Sequence, residues 1–237
     1  MDGAPCWAEL DAEDREAAAV FYAAVLGWSV HDAVVAGHQH GILRCDAHDV
    51  AAFGSPGVVA PPAWTLYLAV EDVDAAAESI EELGGEVLHG PEDDDGGGRL
   101  LVALDAGGAV VGLWESDRDV PPPGPGRLCW AEALSAEPGT TRTFYRELLG
   151  WRWAEDGAGP GHLAGHGEHG PLAGLGLAGD ALPHWVPVFG VADADRAVGV
   201  AEQHGGTVVT AVDAGPRGRH ATLADPAGAR FGVLEVG

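Results

Sequence analysis

The chain says nearly the same thing twice, and this constrains its fold more than any other feature. Trp7, Phe21-Tyr22 and Leu26-Gly27-Trp28 return as Trp130, Phe144-Tyr145 and Leu149-Gly150-Trp151, each 123 positions later. Trp64, Gly84-Gly85 and Asp105-Ala106-Gly107-Gly108-Ala109 return as Trp185, Gly205-Gly206 and Asp225-Pro226-Ala227-Gly228-Ala229, with the shift falling to 121 and then 120. A few loop deletions produce such a drift. Solenoid units run to roughly 20–50 residues, so a period this long marks two fused copies of a whole domain. The division expected is 1–118, a Pro/Gly linker over 119–127, and 128–237. Three prolines, Pro121 to Pro123, favour an extended spacer and cannot continue a helix or a central strand.

Each half reads as strand, helix and several short strands, run through twice. Cys6 to Leu10 is a strand. Asp11 or Asp14 can cap a helix through about Leu26, with Ala17, Phe21, Tyr22 and Val25 along one stripe and Gly27 as its stop. Trp28 to Gly54 alternates in short strands. After Pro61-Pro62 comes a strand over 64–70 and a helix over 73–83, stopped by a glycine pair. Strands near 86–88, 100–104 and 109–114 close the unit, with an acidic loop from Asp93 to Gly98. The second half adds a Gly/His-rich loop from Asp156 to Gly170. Helices alternating with short strands predict curved mixed sheets with helices on the outer face and a ligand cleft inside.

A net charge of −25, with twelve Arg and no Lys, argues against nucleic acid and anionic membrane surfaces, which require basic patches. No run of about 18 apolar residues suggests a membrane span. The N-terminus lacks the pattern of a signal peptide, which makes a cytoplasmic location the expectation. Cys6, Cys45 and Cys129 form no CxxC pair and read as small buried residues.

The ordered recurrence of Trp-Ala-Glu, Phe-Tyr, Leu-Gly-Trp, Gly-Gly and the closing Asp-Ala/Pro-x-Gly-Ala-x-x-Gly-x-x-Glu at 105–115 and 225–235 resembles the vicinal oxygen chelate superfamily. That superfamily holds glyoxalase I, extradiol dioxygenases and bleomycin-resistance proteins. The resemblance spans both halves and is nearest to tandem-domain, glyoxalase-like proteins labelled hydroxylases on similarity. It implies an α+β fold: two tandem glyoxalase-like domains, each of two βαβββ modules forming a curved mixed sheet around a cleft, with helices outside. It also implies an intrachain pseudo-dimer of the two domains, able to remain a monomer.

In the superfamily's enzymes, His, Gln or Glu on cleft strands hold a divalent metal. The matching positions here are Trp7, Thr65, Gly112 and the region of Ala51-Ala52, and in the repeat Trp130, Val186, Gly232 and the region of Ala173-Gly174. None offers a carboxylate, imidazole or side-chain carbonyl to such an ion. The expectation is therefore no metal and no other cofactor.

Strand alternation puts residues two apart on one face. Glu9 then joins Trp7 in the cleft, Glu132 joins Trp130, and Thr65, Tyr67, Gly112 and Trp114 point inward. Trp28, Trp151, Trp64 and Trp185 read as core, whereas Trp7, Trp114 and Trp130 read equally as core or as cleft lining. Glu9 and Glu132 are candidate general acid/bases, because an apolar strand rarely carries a buried carboxylate without a partner. The plainer alternative is ion pairing with Arg99 and Arg219. Among eleven histidines, His48 and His169 appear at equivalent positions and are candidate ligand contacts. His38-Gln39-His40, and His162, His166 and His169 in their glycine-rich stretch, read as surface histidines. Asp93-Asp94-Asp95 lacks the later ligands of a calcium loop, and no GxSxG, GxGxxG or Walker pattern is present.

Three functions remain open. The first is metal-independent binding of a small aromatic or drug-like metabolite in Trp-lined clefts, for sequestration or carriage. The second is a metal-free enzyme of secondary metabolism using a cleft Glu as general acid/base. The third is a metal-dependent lyase or oxygenase with relocated His ligands.

Overall fold

The structure is a computed structural model describing residues 3–35, 38–54, 63–94, 98–116 and 120–237, with the side chains of 32–40 outside the description. Pro61-Pro62, the side chains of His38-Gln39-His40 and positions 95–97 of the acidic loop thus lie outside the described residues.

Local sequence sets each element. After β1 (Pro5–Asp11), the Asp14 carboxylate accepts from the Ala17 N–H at 2.9 Å and starts α1 (Arg15–Leu26). Gly27 ends the helix at φ +73°, a left-handed conformation open to a residue without Cβ. The hairpin strands β2 (Ser29–Val35), β3 (His38–Cys45) and β4 (His48–Phe53) complete the first module. The second module runs through β5 (Ala63–Ala69), α2 (Val73–Glu82), β6 (Glu86–Asp93), β7 (Arg99–Leu104) and β8 (Val110–Glu115).

The second copy repeats this with β9 (Leu128–Ser135), α3 (Pro138–Leu149), β10 (Arg152–Glu155), β11 (Leu163–Gly167) and β12 (Gly170–Leu177). Its last module is β13 (His184–Val191), α4 (Ala194–Gln203), β14 (Thr207–Gly215), β15 (Gly218–Ala224) and β16 (Arg230–Glu235).

Each copy forms one open eight-stranded mixed sheet, in the orders β2-β3-β4-β1-β5-β8-β7-β6 and β10-β11-β12-β9-β13-β16-β15-β14. Parallel ladders join β1 to β4 and β5 to β8, while hairpins supply antiparallel pairs such as β2–β3 and β7–β8. No helix among the described residues is long and apolar enough to cross a membrane.

Compact packing follows a different division from the sequence copies. One unit comprises Met1–Cys6, Thr65–Asp119 and Trp130–Val186, and the other Trp7–Trp64, Val120–Cys129 and Pro187–Gly237. Each unit therefore joins a module of the first copy to a module of the second, and the repeated motifs make that join.

In the second unit, Trp64 Nε1 donates to the Tyr22 hydroxyl at 3.0 Å, which donates to Asp225 Oδ2 at 3.1 Å. In the first, Trp185 Nε1 donates to the Tyr145 hydroxyl at 3.0 Å, which donates to Asp105 Oδ2 at 2.9 Å. Burial, reinforced by the neighbouring carboxylate, lifts both tyrosine pKa values well above the ordinary value, so each hydroxyl stays protonated. Tyr22 stacks on Trp28 at 5.5 Å and Tyr145 on Trp151 at 5.2 Å. The glycine pairs belong to the same joins. A Cβ on Gly206 would lie 2.9 Å from the Phe21 ring, and one on Gly85 would lie 3.1 Å from Phe144.

The segment read as a spacer is packed at its end. Trp28 Nε1 donates to Gly126 O at 2.7 Å, and Gly126 N–H donates to Gly190 O at 2.8 Å. A buried indole N–H requires an acceptor, and the linker backbone supplies it.

Candidate functional site

In the first unit, β9 carries Trp130 and Glu132 on one face, as alternation requires. Trp130 Nε1 donates to Glu132 Oε1 at 2.5 Å. The other carboxylate oxygen, Oε2, lies 2.9 Å from His162 Nε2, and His162 Nδ1 lies 2.9 Å from Asp156 Oδ1. Both imidazole nitrogens thus face carboxylate oxygens, which accept and cannot donate when ionised, so the two contacts favour the doubly protonated imidazolium. Its pKa is raised above the ordinary histidine value, chiefly by the bond to Glu132 and against the effect of burial. Side-chain exposure rises along the chain of contacts, from 8% at Asp156 to 18% at His162 and 26% at Glu132. The glutamate is the member that faces accessible space.

Two glycines of β12 make room for this cluster. Gly174 pairs in register with Glu132, and a Cβ there would overlap the Glu132 carboxylate. A Cβ on Gly176, two residues on and so on the same face, would come within 3.3 Å of the His162 ring. In the first copy Glu9 pairs with Ala52, whose methyl takes the corresponding place. A Cβ on Gly54 would instead lie 3.6 Å from the Glu9 carboxylate.

Register also identifies the histidine that repeats. Ile42 pairs with Ala52 and Ala164 with Gly174, so His40 and His162, each two residues earlier, hold matching places in the two copies. The expected match of His48 to His169 is displaced by one residue. His48 pairs with Cys45, whereas Gly170 pairs with Gly167 and His169 lies in the turn between. Both histidines sit at hairpin ends rather than beside a candidate glutamate, because tight turns, not cleft faces, are where those positions fall. Nor does either arginine pair with the glutamates. Arg99 binds Asp74 and Asp93, and Arg219 binds Asp195. His162 lies outside any motif spacing, and only the pairing of β11, β12 and β9 brings it to Glu132.

The positions matched to metal ligands hold no donors suited to one. Trp7, Thr65, Trp130 and Val186 are all buried. Gly112 pairs with Tyr67, and a Cβ there would overlap the tyrosine ring. Gly232 pairs with Val188, and a Cβ there would lie 2.8 Å from the valine Cγ2. The side chain of the neighbouring strand fills the space a ligand at either glycine would need. These residues do not fit a divalent ion, and among the described residues no group of three His, Cys, Asp or Glu is placed to hold one.

Trp114 is likewise buried, on β8. Trp7 and Glu9 fall in one compact unit, and Thr65, Tyr67 and Trp114 in the other. The thiols of Cys6 and Cys129 donate to backbone carbonyls, and burial pushes both up to about 12, which removes them as thiolate nucleophiles.

Two open mixed sheets of βαβββ modules define the vicinal oxygen chelate architecture. The chain belongs to the glyoxalase-like domain family, whose model matches residues 7–113 and again 130–234. It is 35% identical over 260 residues to the anthracycline biosynthesis protein DauV of Streptomyces sp. (strain C5), covering 99% of this chain and 94% of that protein. Among solved structures, 2,2',3-trihydroxybiphenyl 1,2-dioxygenase from Sphingomonas wittichii strain RW1 superposes with a TM-score of 0.69 at 15% identity, covering 98% of this chain and 90% of that one. The Mn(II)-bound glyoxalase from Novosphingobium aromaticivorans superposes at 0.67 and 17%, covering 100% and 84%. At such identities these structures share the fold.

Proposed function

We propose that this protein binds a small aromatic metabolite without a metal ion, on the sheet face that carries Trp130 and Glu132. The observation that carries the reading is the filling of the superfamily's ligand positions in both copies: Tyr67 over Gly112, Val188 over Gly232, and tryptophan at 7 and 130. Where the fold's metal enzymes place donors, this chain places chiefly apolar and aromatic side chains. An indole beside one carboxylate suits a flat organic ligand with a single polar edge. The likeness to a protein named for anthracycline biosynthesis supports an aromatic, polyketide-like ligand class.

Titration of polycyclic aromatic ketones and quinones against tryptophan fluorescence tests the proposal. A saturable change is expected with at least one of them, lost in Trp130→Ala. A flat response across the whole panel contradicts it.

A further inference from the structure

We infer that the second copy carries a proton-transfer site, with Glu132 as the base, His162 and Asp156 as its positioning groups, and an aromatic metabolite bearing an enolisable ketone as the substrate. The inference rests on the binding function proposed above and adds a reaction to it. Its basis is the geometry of Glu132, His162 and Asp156, three ionisable side chains joined by two contacts of 2.9 Å and seated over Gly174 and Gly176. Sheet packing alone has no need of such an arrangement. A partly buried charged cluster of this kind costs desolvation that apolar residues would avoid, and two strand positions carry no side chain where it sits.

The chemistry follows from what is in reach. The cluster holds no serine or cysteine, so it offers no alcohol or thiol nucleophile. Both nitrogens of His162 are engaged with carboxylates, so the imidazole fixes and charges the site rather than carrying the proton. Glu132 is the most exposed of the three and stands beside the Trp130 indole against which a flat ring would lie. A carboxylate in that place can remove a proton from carbon next to a carbonyl. The C–H bond breaks, its proton passes to a Glu132 oxygen, and the electron pair moves onto the carbonyl oxygen to give an enolate. Return of a proton to carbon restores the ketone, and no oxidant, reductant or metal enters. As Glu132 becomes neutral the negative charge moves to the enolate, within the field of the same imidazolium, so the charge that held the base also steadies the anion it generates. Asp156, the least exposed member, holds the ring in place from the other side, the role of a third group that orients an acid/base partner.

β-Tetralone, an enolisable bicyclic aromatic ketone, serves as the probe. Loss of its α protons in deuterated water is followed by proton NMR, and its binding by tryptophan fluorescence on the same protein. The full chain is expected to speed exchange on the order of 10²–10⁴-fold over acetate at equal concentration. Glu132→Gln is expected to abolish that gain while the ketone still gives a saturable fluorescence change, and Glu132→Asp retains part of it. His162→Gln is expected to lower turnover on the order of 10²-fold with KM held, a split that a purely structural role would not give. Binding with exchange no faster than acetate overturns the proton-transfer site and leaves ligand binding standing. Absence of any saturable fluorescence change with the ketone overturns the enolisable-ketone site, whereas the binding function is overturned only by a flat response across the whole aromatic panel.

Discussion

Glu132 and Glu9 hold matching strand positions, but the floor beneath them differs: Gly174 under one, Ala52 beside the other. A methyl group at 174 would occupy the place of the Glu132 carboxylate, so Gly174→Ala is expected to displace that flexible side chain and break the His162 contact, at a cost of no more than about 1 kcal/mol. Urea unfolding measures the cost, and the NMR titration of His162 in the variant reports the lost contact as a pKa returning toward the ordinary value. The direction of the His162 shift also fixes a pH dependence. Its folded-state pKa is raised, so the protonated ring stabilises the fold. That contribution is fully present below about 6.5, the unfolded value, and fades as pH rises through the raised value. The stability gap between the unaltered chain and His162→Gln should therefore be widest just below neutrality and close on the alkaline side. A gap that widens with rising pH would contradict the assignment. From sequence, Trp130 and Glu132 were legible as neighbours because alternation along one strand is local. His162 was not, because a histidine among glycines carries no period, and three strands in register are needed to bring it home.

At the scale of elements, the repeated motif residues turn out to be the fastenings between modules. Tyr22 bridges Trp64 to Asp225, and Tyr145 bridges Trp185 to Asp105, in both cases with every partner buried. Removing either hydroxyl leaves an indole N–H and a carboxylate oxygen short of a partner away from water. Tyr22→Phe and Tyr145→Phe are each expected to destabilise by about 1–3 kcal/mol, by similar amounts, and without change in ligand binding. Chemical denaturation of both variants checks this. A loss confined to one of them would mean that the two joins are not equivalent. Helix limits were readable because their causes are local: Asp14, one of the two caps the sequence offers, and Gly27 as a left-handed stop. The motifs themselves could not say which copy supplies each partner. Both copies carry the same residues, so a bond within a copy and a bond between copies leave the same trace in the sequence.

At the scale of the whole chain, tandem duplication was legible and interleaved packing was not. Each compact unit takes one module from either copy, so each module of a single copy lacks the module it packs against. Residues 1–124 expressed alone should fail to give a folded monomer, and should regain native tryptophan fluorescence on mixing with 125–237, as size-exclusion chromatography and fluorescence would record. A monomeric, cooperatively unfolding fragment would contradict the interleaving.

The central claim is that this member of a fold known for metal enzymes works without a metal, because Trp7, Trp130, Tyr67 over Gly112 and Val188 over Gly232 stand where ligands would. The most direct measurement is the affinity of tag-free protein for an aromatic ketone with and without EDTA, alongside elemental analysis of the same sample. The account predicts a dissociation constant unchanged by the chelator and metal far below one equivalent. Binding that collapses in EDTA and returns with one equivalent of manganese, iron or zinc would contradict it.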